Sequence, residues 1–408
     1  MNRELNHNRD CIDNMSKLAT HWLLNSKIHN IDAQDAKLFG SFNNYLDINK
    51  RSCEYAYTEI TGYSVELLLD LYRKSKDPIY LEQAKLAGNW IIDMQYAGTI
   101  KDGVGGYLYS VDLNNRLTSN EEYSFDAGIC LGGLSDLYRA TQNSIYLNSA
   151  AKSASWLVQV MQNPDGSFKS LCSTEEKNPG AVNQKKSCSK SIRKSWFYMN
   201  GCHHGKIAIG LLKYYSISKE PSLLKNVLSL CDWLMEQQTE SGYFRIAVGS
   251  DVSFSHTHSY AVEGLLYASA AFKNSALFGS AKLGGDWLIR LQKSNGCIPA
   301  WTNDGRSINY TDISAVAQAI RIWCVLYSET QDSKYFDAID KSNRYLSKMQ
   351  NNSPDVATSG GFYLAELDLK LAKHKLSRLY SWATIFAIHA LELTRDLSNR
   401  KVTGDELW

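Results

Sequence analysis

Two kinds of apolar helix pattern alternate along this chain, and how the alternation begins and ends constrains the fold more than any other feature. One kind carries an aromatic residue followed by an aliphatic one: Trp22-Leu23, Trp90-Ile91, Trp156-Leu157, Trp233-Leu234, Trp287-Leu288 and Tyr345-Leu346. A glutamine follows it as Gln95, Gln162, Gln238, Gln292 and Gln350, with Lys27 in the first copy. Next come a glycine and an apolar residue: Gly40 with Phe42, Gly106 with Tyr107, Gly166 with Phe168, Gly242 with Tyr243, Gly296 with Ile298, and Gly361 with Phe362. The other kind of helix falls near 59–72, 125–138, 202–215, 256–269, 314–327 and 380–393. No single copy can bury its apolar stripe. Stacked copies bury it together, as in repeat architectures.

The chain opens with an aromatic-type helix, near 11–27, and closes with the other kind, near 380–393. An open solenoid would leave both ends bare and in need of polar caps. A ring pairs them. The expected fold is therefore all-α: an (α/α)6 toroid with six inner and six outer helices, closed by antiparallel packing of 11–27 against 380–393. It should use residues 1–408 as a single domain. The six prolines suit so many helices. With 44% hydrophobic and 21% charged residues, the composition is that of a soluble globular protein.

A net charge of +2 gives no bulk field to hold nucleic acid or a membrane surface, so neither is an expected partner. No apolar run reaches the roughly 20 residues of a membrane span. Met1–Asp10 carries no apolar segment of the signal-peptide kind. The nine cysteines are scattered over helices and loops like reduced thiols. The expected location is the cytoplasm.

Connections from the inner to the outer helices are short, at 73–79, 139–145, 216–221 and 328–334. Those from outer to inner are long, and the one at 163–196 is basic, with Lys169, Lys177, Lys185, Lys186, Lys190, Arg193 and Lys194. Short turns on one face and long loops on the other describe a scaffold with one functional face. The inner helices begin on the long-loop face, and their first turns gather carboxylates, imidazoles and aromatics: Tyr57-Thr-Glu59, Tyr123-Ser-Phe-Asp126, Cys202-His-His204, His256-Thr-His258, Tyr310-Thr-Asp312 and Tyr380-Ser-Trp382. Each has a plain structural reading as well. Glu59 and Asp126 can serve as helix caps, the histidines as core residues, and any single aromatic as packing.

The closed six-hairpin pattern, with Thr58-Glu-Ile-Thr-Gly-Tyr63 and Trp90…Gln95…Gly-Gly-Tyr107, resembles the six-hairpin glycosidase-like superfamily, and within it bacterial members linked to surface-polysaccharide biosynthesis. Its relatives include unsaturated glucuronyl hydrolases, N-acylglucosamine 2-epimerases and lanthionine synthetase cyclases. The resemblance implies an acid/base role for Asp126, by position. His258-Ser-Tyr-Ala-Val-Glu263 is similar to an epimerase inner-helix motif, and Cys202-His203-His204-Gly205 to the zinc cyclases.

The reading that follows is a glycoside-hydrolase-like enzyme of polysaccharide metabolism, acting on an acidic or amino-sugar-containing glycan without a cofactor. Asp126, Glu59, Asp312, His204 and His258 are the candidate catalytic groups. A glycosidic bond needs an acid for the leaving oxygen and a base or nucleophile opposite. Asp126 is the expected acid. Asp126, His204 and His258, with Glu59, are expected to face one cavity. Tyr57, Tyr123, His203, His256, Trp301, Tyr310 and Trp382 are candidate sugar contacts, and Arg245 a candidate partner for a uronate carboxylate. Three alternatives stay open: 2-epimerisation with two histidines, glycan or partner binding without catalysis, and zinc chemistry with Cys202, His203 and His256 as ligands.

Overall fold

The computed structural model describes residues 2–31, 35–98, 104–173, 196–303, 306–307, 310–365 and 378–408. Most of the expected basic loop, with Lys177, Lys185, Lys186, Lys190, Arg193 and Lys194, lies outside the described residues.

Twelve α-helices form two concentric rings among the described residues. The outer ring is α1 (Asn2–Asn25), α3 (Pro78–Asp93), α5 (Ser144–Trp156), α7 (Pro221–Glu236), α9 (Ser275–Leu291) and α11 (Ser333–Met349). The inner ring is α2 (Thr58–Ser75), α4 (Ser124–Thr141), α6 (Ile207–Ser218), α8 (Ser255–Phe272), α10 (Ile313–Thr330) and α12 (Ser381–Asp396). Inner helices are buried all round, as α8 is from Ser255 to Ser269, whereas α11 buries one stripe. This is the (α/α)6 toroid that the repeat predicts.

The repeated residues explain why the rings form. Five short turns end their inner helix on a left-handed residue: Lys76, Gln142, Lys219, Lys273 and Gln331. Asp77, Asn143, Asn274 and Asp332 come next and cap the following outer helix with their side chains. At the opposite end, each glutamine donates to a carbonyl of the next outer helix: Gln95 to Ser149, Gln162 to Asn226, Gln238 to Ser280, Gln292 to Ala338. Gln350 completes the circle by donating to Met15 in α1. The glycines repeat this geometry. Gly40, Gly105, Gly166, Gly242, Gly296 and Gly360 have φ of +92°, +113°, +90°, +95°, +91° and +99°, a region closed to most side chains. A Cβ on any of them would strike a backbone oxygen of the next outer helix, Leu18 in the case of Gly360. In two hairpins the glycine under strain is therefore Gly105 or Gly360, one place before the Gly106 and Gly361 of the sequence pattern.

Ring closure is as expected. Helix α1 packs on α12. Ser16 donates to Glu392 at 2.8 Å across this seam.

The sequence pattern did not show the short strands at the long-loop face: β1 (Tyr45–Asp47), β2 (Tyr55–Tyr57), β3 (Ser110–Asp112), β4 (Glu121–Tyr123), β5 (Leu171–Ser173), β6 (Val252–Phe254), β7 (Trp301–Asn303), β8 (Arg306–Ser307) and β9 (Arg378–Tyr380). They pair between neighbouring loops, β2 with β3, β4 with β5 and β6 with β7, while β1 pairs with β9 across the seam. Two- and three-residue strands are too brief for a period-of-two signal to stand out. Their effect is to fix the chain just before each inner helix.

Candidate active site

Strands β2, β4, β6 and β9 run straight into inner helices, and at the start of five inner helices the first backbone N–H donates to the neighbouring loop. Thr58 donates to Tyr109, Ser124 to Ser170, Ser255 to Ala300, Ile313 to Leu364 and Ser381 to Asn44. These bonds set a common register. In it Glu59, Phe125, His256, Ser314 and Trp382 are equivalent, as are Thr61, Ala127, His258 and Thr384. For the third hairpin the glycine contacts supply the register. A Cβ on Gly205 would meet Ala261 Cα at 2.8 Å, as one on Gly128 would meet Ile207 Cα at 3.0 Å. Cys202 then matches Glu59, His203 matches Asp126, and His204 matches Thr61.

At the mouth of the ring these residues surround a cavity of about 310 Å³. Seven residues singled out in the sequence line it: Tyr57, Glu59, His256, Trp301, Tyr310, Asp312 and Trp382. Trp301 stacks on Phe254 with ring centroids 4.4 Å apart. Asp312 caps α10 by accepting the Ser314 N–H at 2.8 Å. Glu59 and Asp126 do not cap their helices, because the N-cap residues are Tyr57 and Tyr123, without side-chain cap bonds.

Glu59 and Asp126 interact directly. Burial raises the Glu59 carboxyl to about 7, against a hydrogen bond from Tyr57 that lowers it. Burial, and then the charge of Glu59, lift Asp126 well above the usual carboxylate range. Both sit at helix N-termini, where the dipole favours anions, yet desolvation wins. Asp126 Oδ2 has no hydrogen-bond partner. Burial and the charge of each on the other thus favour keeping a proton on the pair.

The histidines separate. His258 accepts the Phe244 N–H on Nδ1 at 3.1 Å and reaches the Gly284 carbonyl with Nε2 at 3.1 Å. Thr61 and Thr384 accept the Phe42 and Phe362 N–H groups in the same way. His258 thus fastens a loop and lies against Trp287 of the outer ring, with ring centroids 4.4 Å apart. His204 sits beside Ser124, with Nε2 3.4 Å from its Oγ, and near Phe168. Burial lowers both imidazoles to about 3. Neither lines the cavity, and Asp126 is buried behind its lining as well, so of the four residues expected to share it only Glu59 does. Two register places turn a side chain by about 200° on a helix, so His204 and His258 point outward while Glu59 and His256 point to the mouth. His203 remains near the axis, buried against Trp196 and Phe125, with ring centroids 5.1 and 5.4 Å away.

Residues 46–201 match the family model of glycosyl hydrolase family 76, a segment that contains both Glu59 and Asp126. In shape the chain is similar to cellobiose 2-epimerase from Bacillus thermoamylovorans, at a TM-score of 0.73 and 15% identity over 96% of this chain and 100% of that one. It is similar to a D-mannose isomerase at 0.73 and 10% over 94% and 97%. It is also similar to an unsaturated glucuronyl hydrolase specific for heparin, at 0.68 and 13% over 97% and 99%. The chain shares its six-hairpin (α/α)6 fold with these proteins. By sequence the chain matches no curated protein. It is a glycoside-hydrolase-like carbohydrate enzyme.

Other expected contacts of the chain fall elsewhere. Tyr123 donates to Glu121 at 2.7 Å and packs on Tyr109, outside the cavity lining. Arg245 also lies outside it and reaches the Gln237 carbonyl at 3.4 Å, so it is not placed to hold a uronate in this cavity. Of the three zinc candidates, His256 lines the mouth, while Cys202 is hydrogen-bonded to Thr257 and its thiol is pushed up to about 12 by burial. Among the described residues no three His, Cys, Asp or Glu side chains are grouped to hold a metal. The lining also includes Tyr55, Tyr109, Trp196, Phe197, Phe254 and Leu364, which sequence reasoning missed. The alternation Tyr55-Ala-Tyr57 was the available signal for one of them: two rings on one face of a strand.

Two results are expected from variants. His258→Ala removes two buried bonds and should lower the unfolding free energy by about 2–4 kcal/mol, measured by denaturant titration, with kcat within about twofold of native. The second concerns Glu59, whose folded pKa, about 7, is raised above its ordinary value of 4.5. The unfolded chain therefore ionises first, and stability drains away as pH rises between those values. Glu59→Gln should be more stable than native at about pH 8 by on the order of 2 kcal/mol, with the difference vanishing near pH 4.

Proposed function

We propose that the mouth of the ring holds a sugar unit of an oligosaccharide or polysaccharide and that Asp126 and Glu59 cleave the glycosidic bond beside it. The observation that carries this reading is the buried Glu59–Asp126 pair next to an aromatic-lined cavity. Asp126, the group held protonated, donates to the leaving oxygen. Glu59, ionised from about pH 7 upward, serves as base or nucleophile. Trp301, Trp382 and the tyrosines offer apolar faces to the sugar ring, and Asp312 adds a carboxylate to the lining.

The setting proposed is polysaccharide biosynthesis in the cytoplasm. Cys11, Cys53, Cys130, Cys202, Cys231, Cys297 and Cys324 form no disulfide among the described residues, which supports a reducing compartment.

The test is release of reducing ends from a panel of bacterial glycans, followed across pH. Loss of kcat/KM on the acid side should follow protonation of Glu59, near pH 7. Solvent deuterium entering a sugar with no reducing ends released would replace this reading with epimerisation.

A further inference from the structure

His256 reaches the cavity from a buried chain of polar groups along the ring axis that the proposed cleavage does not use. Its Nδ1 lies 2.6 Å from Gln318 Oε1 on α10, and its Nε2 lies 3.1 Å from the Tyr260 hydroxyl. The Gln318 amide nitrogen points at Glu263 Oε2, 3.4 Å away. Lys206 meets the same carboxylate at 2.6 Å, and Arg321 approaches its other oxygen at 3.3 Å. Beneath them lies Trp408. Its backbone oxygen accepts from both Lys206 and Arg321, and its ring stacks on His389 with centroids 4.4 Å apart. Gln318, Glu263, Lys206 and Arg321 are all essentially inaccessible to solvent.

We propose that Gln318 is a positioning residue that holds His256 in its Nδ1–H tautomer, leaving Nε2 as an acceptor which a sugar hydroxyl can share with Tyr260. The chain fixes the direction of every bond. Lysine and arginine only donate, so Glu263 must accept. A carboxylate facing Gln318 repels its carbonyl oxygen and attracts its NH2, which turns Oε1 toward His256. An amide oxygen only accepts, so Nδ1 must carry the proton. The imidazole's hydrogen-bonding sense at the mouth is thus set from the ring interior, through Gln318, by the Lys206–Glu263–Arg321 cluster.

The assignment of a sugar hydroxyl to Nε2 rests on the function proposed above, but the tautomer does not. The deciding measurement is therefore substrate-free: long-range proton–nitrogen NMR of the imidazoles, with His256 identified by the signals lost in His256→Phe. Native protein should show Nδ1 protonated and Nε2 bare. Gln318→Leu should move the proton to Nε2 in a measurable fraction of molecules, and Gln318→Glu, which keeps an acceptor, should restore Nδ1–H. On a cleaved glycan, Gln318→Leu should raise KM about tenfold with kcat little changed. A native Nε2–H tautomer, or a Gln318→Leu spectrum identical to native, overturns the proposal. If Gln318→Leu does not fold, the native tautomer still decides. If no glycan is ever cleaved, the NMR result stands and only the sugar contact falls.

Discussion

Asparagine at Asp126 is expected to lower kcat by at least about a thousandfold while leaving the thermal midpoint unchanged or higher. The effect on chemistry follows from the proton. Asp126 is raised well above the carboxylate range by burial and by Glu59, and an amide cannot donate that proton to a leaving oxygen. The small effect on stability follows from the surroundings. Asp126 Oδ2 has no hydrogen-bond partner, and no ion pair holds the side chain, so the native fold loses little when the charge is removed. Steady-state kinetics and a melt on the same preparation separate this from a capping role. A cap is served about equally well by Asn and Asp, so a variant that keeps its turnover would remove Asp126 from the chemistry and with it the proposed mechanism.

Removing residues 1–27 is expected to give insoluble protein. The first outer helix buries Met15, Ala19, Trp22 and Leu23 against the ring. Each large apolar side chain contributes about 1.5–3 kcal/mol, and the truncation also frees the Gln350 amide, Gly360 and Glu392 from their partners on α1. The combined loss reaches the whole of a typical folding free energy, about 5–15 kcal/mol. The apolar faces of α11 and α12 would then be open to solvent as an aggregation surface. The soluble fraction on expression and size-exclusion chromatography read the outcome. A soluble monomer with a cooperative melt would show that the remaining hairpins form a stable arc without closing.

The ring was legible because every hairpin repeats the same needs. The aromatic of the outer helix, the glutamine that staples it to its neighbour and the glycine that lets the loop pass close by recur at fixed places in the sequence. The site was only half legible. Position in the repeat points to Glu59, His256, Asp312, Tyr310 and Trp382, which line the mouth, and equally to Asp126, which does not. It misassigned His204 and His258, because nearness along a helix axis was taken for nearness in angle. The structure shows that these two imidazoles take the place of the threonines Thr61 and Thr384, a substitution visible only once the strand-to-helix bonds fix the register. Gln318, Lys206 and Arg321 drew no notice as sequence. A polar residue in the middle of an apolar inner helix has meaning only when its neighbours around the axis are known.

The seam between the first and last helices has a kinetic consequence. The Ser16–Glu392 bond joins residues 376 positions apart, whereas each internal hairpin joins neighbours in sequence. Hairpins can therefore form early and locally, but the seam must wait until all of them are in place, since contacts between distant parts of a chain close slowly. Until that moment a nearly finished arc carries two sticky edges, one at each end, with the geometry to accept the edge of another molecule. Concentration during refolding, rather than temperature, is then the variable that decides between monomers and chains of arcs.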